Sequence, residues 1–243
     1  MKNFHAISVA FLLANICYGQ LYNKDKVCGT DTIYVDYRDL KTGERINYKA
    51  FECTQVAKAG IRIDLGYSSY SYNLRTKKWL GNHNGALFGL TLVHRKFNLG
   101  AKFKFASTTP KSQLVFNGDT LAYEAKLNPP KIDFYAGFSL DLKYNFSIEP
   151  YFGVTRNLFY VINEKELNKS FNIPKVHGLN AGVTLNKYFK LKEFQFLSLF
   201  FTYGYGFTNF KKVNSSLGVG YSEWTLGLSY KAFAKKIFHE RIN

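Results

Sequence analysis

From residue 59 onward the chain alternates apolar and polar residues repeatedly, the period-two signature of strands with one apolar face. Between Phe97 and Phe105 the odd positions are apolar (Phe97, Leu99, Ala101, Phe103, Phe105), separated by Asn98, Gly100, Lys102 and Lys104. From Ile132 to Leu142 the even positions are apolar, against Asp133, Tyr135, Gly137, Ser139 and Asp141. The same pattern runs through Phe146–Thr155, Leu179–Leu185, Leu197–Phe207 and Trp224–Lys231, and Ile61–Tyr67 and Ala86–Leu92 complete a set of eight. The connections alternate as well. Those at 94–96 and 143–145 are short and the one at 187–193 slightly longer, whereas 74–84, 107–130 and 158–175 are long and 208–215 intermediate. Short turns at one end and longer loops at the other predict an all-β fold: an eight-stranded antiparallel up-and-down transmembrane β-barrel over 59–233. Both termini then fall on the short-turn, periplasmic side. Pro150, in mid-strand, removes a ladder donor and predicts a bulge.

Alternation also suits a soluble barrel with its apolar face inward, and glycine placement separates the two. Twelve of the 19 glycines fall on the polar face, among them Gly66, Gly89, Gly100, Gly204, Gly206 and Gly227. Facing water they would weaken strands without gain. Inside an eight-stranded barrel, whose lumen is only just wide enough for side chains, they make room. The polar face therefore points inward and the aromatic face toward lipid. That places Arg62, Lys102, Lys104 and Lys231 in the lumen with Asp64, Asp133, Asp141 and Glu149. In a low-dielectric lumen these groups are expected to pair and close it. Tyr67, Tyr70, Tyr72, Trp79, Tyr203, Tyr205 and Trp224 suit interfacial girdle positions.

The ends carry other signals. Residues 1–19 read as a signal peptide cleaved before Gln20: Lys2, an apolar stretch from Ala6 to Ile16 too short to span a bilayer as a helix, then Cys17-Tyr18-Gly19. Acylation at Cys17 is the weaker reading, because Asn15 and Ile16 stand where such signals need small residues. In the periplasmic segment 20–58, Ile33–Tyr37 and Ile46–Phe51 flank a loop at Asp39–Glu44, which predicts a short hairpin. Cys28 and Cys53 sit outside its strands, and in an oxidising compartment such a pair bridges. No histidine lies near enough to favour metal ligation. The 26-residue closed loop from Cys28 to Cys53 is worth roughly 3 kcal/mol on the chain-entropy account. Residues 234–243 read as a short basic tail.

Composition adds two points. Aromatic residues make up 18% of the chain, with 23 Phe and 18 Tyr, more ring surface than a water-soluble domain ordinarily carries. The net charge of +16 can mean nucleic acid, but an exported chain does not meet it. Membrane lipids, including lipopolysaccharide with its phosphates, are the expected counter-charge, or else loop lysines keep the ends of the barrel wet.

The signal ending in Gly19-Gln20, the Lys58-Ala59-Gly60 run into the first strand and the eight-strand plan resemble the small outer-membrane β-barrel superfamily. That superfamily includes OmpA-like barrels and the PorT-type proteins of the type IX secretion system. The resemblance implies an integral outer-membrane protein whose last strand is read by the barrel-assembly machinery. Thr225, Gly227 and Tyr230 match that signal's spacing, whereas Ala232 stands where an aromatic is expected and Phe233 is one place late.

Some such barrels act on lipid A, and a deacylase of serine-hydrolase type needs a histidine and a serine two residues apart, with a carboxylate. None of His83, His94, His177 and His239 has a serine two residues later. Asp133 and Asp141 stand about 27 Å apart along one strand at ~3.3–3.4 Å per residue, too far to work as a pair. No catalytic residue, metal or cofactor is therefore expected. The expected role is an accessory or structural subunit of an envelope assembly, in secretion, barrel biogenesis or surface-protein attachment. Its loops carry apolar segments, Leu114-Val115-Phe116, Leu121 and Tyr123, then Phe171 and Ile173, which either extend the barrel wall as a hairpin or dock other envelope proteins. The alternatives are a lipid A-modifying enzyme, and a surface adhesin or small hydrophobic-ligand barrel.

Overall fold

The structure, a computed structural model, describes residues 26–116, 119–121, 123–192 and 194–242, so the expected signal peptide at 1–19 lies outside the described residues. The strands are β1 (Lys26–Arg38), β2 (Arg45–Tyr72), β3 (His83–His94), β4 (Phe97–Ala106), β5 (Leu114–Phe116), β6 (Asp119–Leu121), β7 (Leu127–Asn128), β8 (Lys131–Phe138), β9 (Leu140–Asp141), β10 (Phe146–Asn157), β11 (Tyr160–Val161), β12 (Val176–Lys192), β13 (Gln195–Asn209) and β14 (Val219–Arg241). One helix, α1 (Leu74–Leu80), follows β2. Each barrel strand pairs antiparallel with its neighbours in the order β2, β3, β4, β8 (continued by β9), β10, β12, β13, β14, and β14 returns to β2 to close the wall. Closure leaves the barrel without an edge. All eight predicted segments are strands of this barrel.

The wall is inverted relative to a water-soluble protein. Inward positions are charged and buried, as at Arg62, Asp64, Lys102, Asp133 and Glu149, while outward positions are apolar and open, as at Leu99 (62% exposed) and Phe134 (56%). So continuous an apolar surface is stable only against lipid. Two glycines show how little room the lumen leaves. A Cβ at Gly204 would collide with the Tyr151 hydroxyl, and one at Gly206 with the Tyr221 ring.

Two expectations are corrected. Pro150 makes no bulge: Tyr151↔Gly137 and Ile148↔Leu140 keep a single register, and the ladder only pauses at Ser139. The proline is exposed on the outer face, and its missing donor is absorbed by that pause. The strand β2 runs unbroken from Arg45 to Tyr72 across residue 59, where its barrel pairing begins at Ala59↔His94. The segment 234–243 is not a tail, since β14 continues to Arg241 and pairs with β2 from Lys235↔Val56 to Arg241↔Ala50.

With β1 on the other side of β2, these extensions form a three-stranded tongue beyond the short-turn end of the barrel. The predicted hairpin thus gains a third strand, without which a two-stranded ribbon is marginal in water. Cys28 and Cys53 are register partners on β1 and β2 and are disulfide-bonded. Near the tip, the Arg45 guanidinium donates to both Asp36 carboxylate oxygens at 2.6–3.2 Å. This hydrogen bonding holds the Asp36 carboxyl below its ordinary range.

Replacing Cys28 and Cys53 with serine is expected to loosen the tongue by about 3 kcal/mol and leave the barrel closed. Limited proteolysis should then cut within 26–58 faster, with the heat-modifiable electrophoretic mobility of the barrel unchanged.

Candidate functional site

Side chains from all parts of the wall meet in the lumen, and register dictates which of them touch. Toward the short-turn end, Arg62 on β2 forms ion pairs with Asp64 (3.1 Å) and with Glu149 on β10 (2.7 Å). It also donates to the Tyr135 hydroxyl at 2.9 Å, which in turn lies 2.6 Å from the Thr91 hydroxyl. Nearer the loop end, Lys104 on β4 pairs with Asp133 at 2.7 Å and, more closely, with Glu223, to which Lys131 also binds. Lys131 and Asp133 approach to 3.5 Å. Two carboxylates and two ammonium groups thus form one neutral cluster in place of an isolated buried charge.

The inward charges expected from the sequence do not all join these clusters. Arg62, Asp64, Lys104, Asp133 and Glu149 do. Lys102 instead lies over the rings of Tyr135 (4.8 Å) and Tyr151 (5.1 Å), and Lys231 over Tyr188 (5.4 Å) and Phe233 (5.1 Å). Among the described residues neither has a carboxylate within ion-pair distance, so the quadrupole of the ring face supplies the partner. Asp141 lies on the short strand β9 near the rim and is only half-buried. Lys131 and Glu223 were missed. Each lies just ahead of a segment where the alternation was counted, yet each shares the parity of Asp133 or Lys231, and carrying the period one step back places both inward.

The same parity corrects the aromatic assignments. Tyr67, Tyr203, Tyr205 and Trp224 face outward as expected, with Tyr67 and Trp224 rings 6.1 Å apart. Tyr70 and Tyr72 are buried because they keep step with Arg62 and Asp64, and Trp79 is buried on α1. Together with Leu80, Leu121, Ala125, Leu127, Phe159, Val161, Ile173, Phe210, Leu217 and Tyr221 they form an apolar core over the loop end of the lumen.

That cap relocates the expected docking residues. Leu121 and Ile173 are inside it, and Phe171 packs against it. Burial there stabilises Leu121 and Ile173 by roughly 1.5–3 kcal/mol each, so these apolar loop residues hold the cap together. Val115 and Tyr123 are exposed, and the side chains of Leu114 and Phe116 lie outside the described residues. The Leu114–Leu121 hairpin is a separate two-stranded sheet, and the wall is extended instead by β7 paired with β11 and by a Thr108↔Leu127 bridge. His83, expected in a loop, opens β3 and is buried with its Nδ1 3.1 Å from the Tyr72 hydroxyl.

Among the described residues, the group offering three closely spaced metal-ligand atoms is Cys28, Cys53 and Glu240. Its two sulfurs are bonded to each other and so supply no thiolate. The lumen is a filled polar core, closed above by an apolar cap. By closure, strand count and inverted polarity, the chain is an integral barrel of the outer-membrane type.

No family model matches the chain, and no curated protein matches it. Among solved structures, it is similar to the outer membrane protein OprG from Pseudomonas aeruginosa, at 14% identity and a TM-score of 0.43 over 76% of this chain and 97% of that one. It is also similar to Neisserial surface protein A, at 10% identity and 0.44 over 73% and 97%. The attachment invasion locus protein Ail of Yersinia pestis matches at 15% identity and 0.41 over 73% and 99%.

Arg62→Ala strands Glu149 and Asp64 without their cation and is expected to cost about 3–5 kcal/mol, read from urea unfolding in lipid vesicles. Adding Glu149→Ala should recover part of that loss, because the two residues are directly coupled.

Proposed function

We propose that this barrel is a non-catalytic outer-membrane protein that serves as an accessory or structural subunit of an envelope assembly, with both termini and the tongue in the periplasm. The observation that supports this reading is the uncovered tongue. On one face, register aligns Ile33, Val35 and Tyr37 of β1 with Ala50, Tyr48 and Ile46 of β2. Tyr37 and Tyr48 meet edge to face at 6.4 Å, and Arg241 lies over Tyr48 at 5.6 Å. On the other face Tyr34, 77% exposed, lies beneath the Lys49 ammonium. A sheet carrying apolar residues outside the membrane, with no second layer among the described residues, buries them against another protein. The lumen pairs most of its charges and the cap buries its apolar side chains within the chain, which leaves the tongue as the apolar surface with most to gain from a partner.

Tagged protein purified in mild detergent from its native outer membrane is expected to retain a defined envelope protein in stoichiometric amount. Ile33→Asp with Tyr37→Asp should release it while the barrel stays folded. A clean monomer from the unaltered chain would sink the assembly reading. In intact cells the tongue should resist added protease and become cleavable once the outer membrane is permeabilised.

A further inference from the structure

Outside the lumen and the tongue, one sector of the outer wall is chemically unlike the rest. On β10, β12 and β13, Val154, Leu179 and Phe207 form an outward apolar row in direct register. Two residues further toward the loop end, about 7 Å along the strands, Arg156 and His177 are cross-strand partners, both outward and exposed. Lys175 leads into β12, and Lys211 and Lys212 follow β13, all exposed. Within the wall itself the other loop-end positions carry no outward cation, as at Ser69 and Ser71 on β2, Asn84 on β3 and Ser222 on β14; the exposed Arg75, Lys77 and Lys78 at this end sit on α1, beyond the wall. Arg156 and His177 are set apart by lying in the wall itself, on adjacent strands directly above the apolar row.

The acids of the neighbouring loop are otherwise engaged. Glu164 accepts from the Phe171 backbone N–H, and Glu166 from the Asn163 side chain. Arg156 has no ion pair among the described residues.

We propose that Arg156 and His177, flanked by Lys175 and Lys211, form a binding site for the phosphorylated headgroup of a membrane lipid in the leaflet around the loop end. Acyl chains pack on the Val154–Leu179–Phe207 row, and the guanidinium above it offers a paired-donor fork to phosphate oxygens. The assignment of this leaflet to the outer surface rests on the function proposed above. Given that, the ligand is a phosphorylated glycolipid such as lipopolysaccharide.

The test uses the full chain folded in detergent, with bisphosphorylated lipid A as probe and native mass spectrometry to count bound molecules. The unaltered protein should retain lipid A in preference to phosphatidylcholine. Arg156→Gln with His177→Gln should weaken retention at least ten-fold, whereas Ser69→Ala with Asn84→Ala should leave it unchanged. Unchanged heat-modifiable mobility would show that the variants remain folded. Equal retention by the unaltered protein and the Arg156/His177 variant would overturn the proposal. So would complete displacement of lipid A by millimolar inorganic phosphate, which would make this a site for free anions. A folded barrel that binds no lipid A sinks the site and leaves the barrel reading intact. A chain that fails to insert into vesicles sinks both.

Discussion

The lumen of an eight-stranded barrel is so narrow that whatever faces inward must touch its neighbours across the axis. Here the inward residues include charges on β2, β4, β8, β10 and β14, and the structure is organised around their mutual contact. Arg62 joins β2 to β10, and Glu223 on β14 meets Lys104 on β4 and Lys131 on β8. Buried charge is costly when unpaired and close to neutral when paired. The pairs therefore contribute less to net stability than to uniqueness, since a one-residue slip would send every charge of that strand toward lipid. Sheet closure and ionic pairing specify the same register.

The glycines and tyrosines follow from that constraint. Phenol rings fill the space between the ionic clusters, and glycines on the facing strands give way to them, as Gly204 does to Tyr151 and Gly206 to Tyr221. Lys102 and Lys231 are accommodated by the same rings, so aromatic faces take the place of carboxylates where the wall has none to offer. At the loop end the lumen changes from ionic to apolar through Tyr70, Tyr72 and Tyr221. The loops fold onto those rings as one layer.

Most of the barrel was legible because period two is a local signal and a lipid-facing wall imposes it on every strand. Strand number followed from it, and with glycine placement so did the inward face and five of the charges now found in ion pairs; the disulfide was legible separately, from a cysteine pair in an oxidising compartment. What escaped depends on nonlocal facts. The cap residues Leu121 and Ile173 are apolar residues in loops, and their sequence neighbours do not reveal that four loops converge on one core. The third strand of the tongue was hidden because 235–241 finds its partner near the opposite end of the chain. Lys131 and Glu223 are different, since their parity was readable and only the counted windows stopped short of them.

The seam between β2 and β14 joins the first and last barrel strands, and it does not end at the membrane. Its pairing spans 20 residue pairs, 13 in the barrel wall and, after a register shift between Phe233 and Lys235, seven in the tongue. Closing the barrel and building the tongue are thus parts of one zipper. A load applied to the tongue along its strands would pass straight into that seam as shear, where hydrogen bonds share the force and fail together. Anything that grips the tongue is mechanically anchored through the full thickness of the membrane.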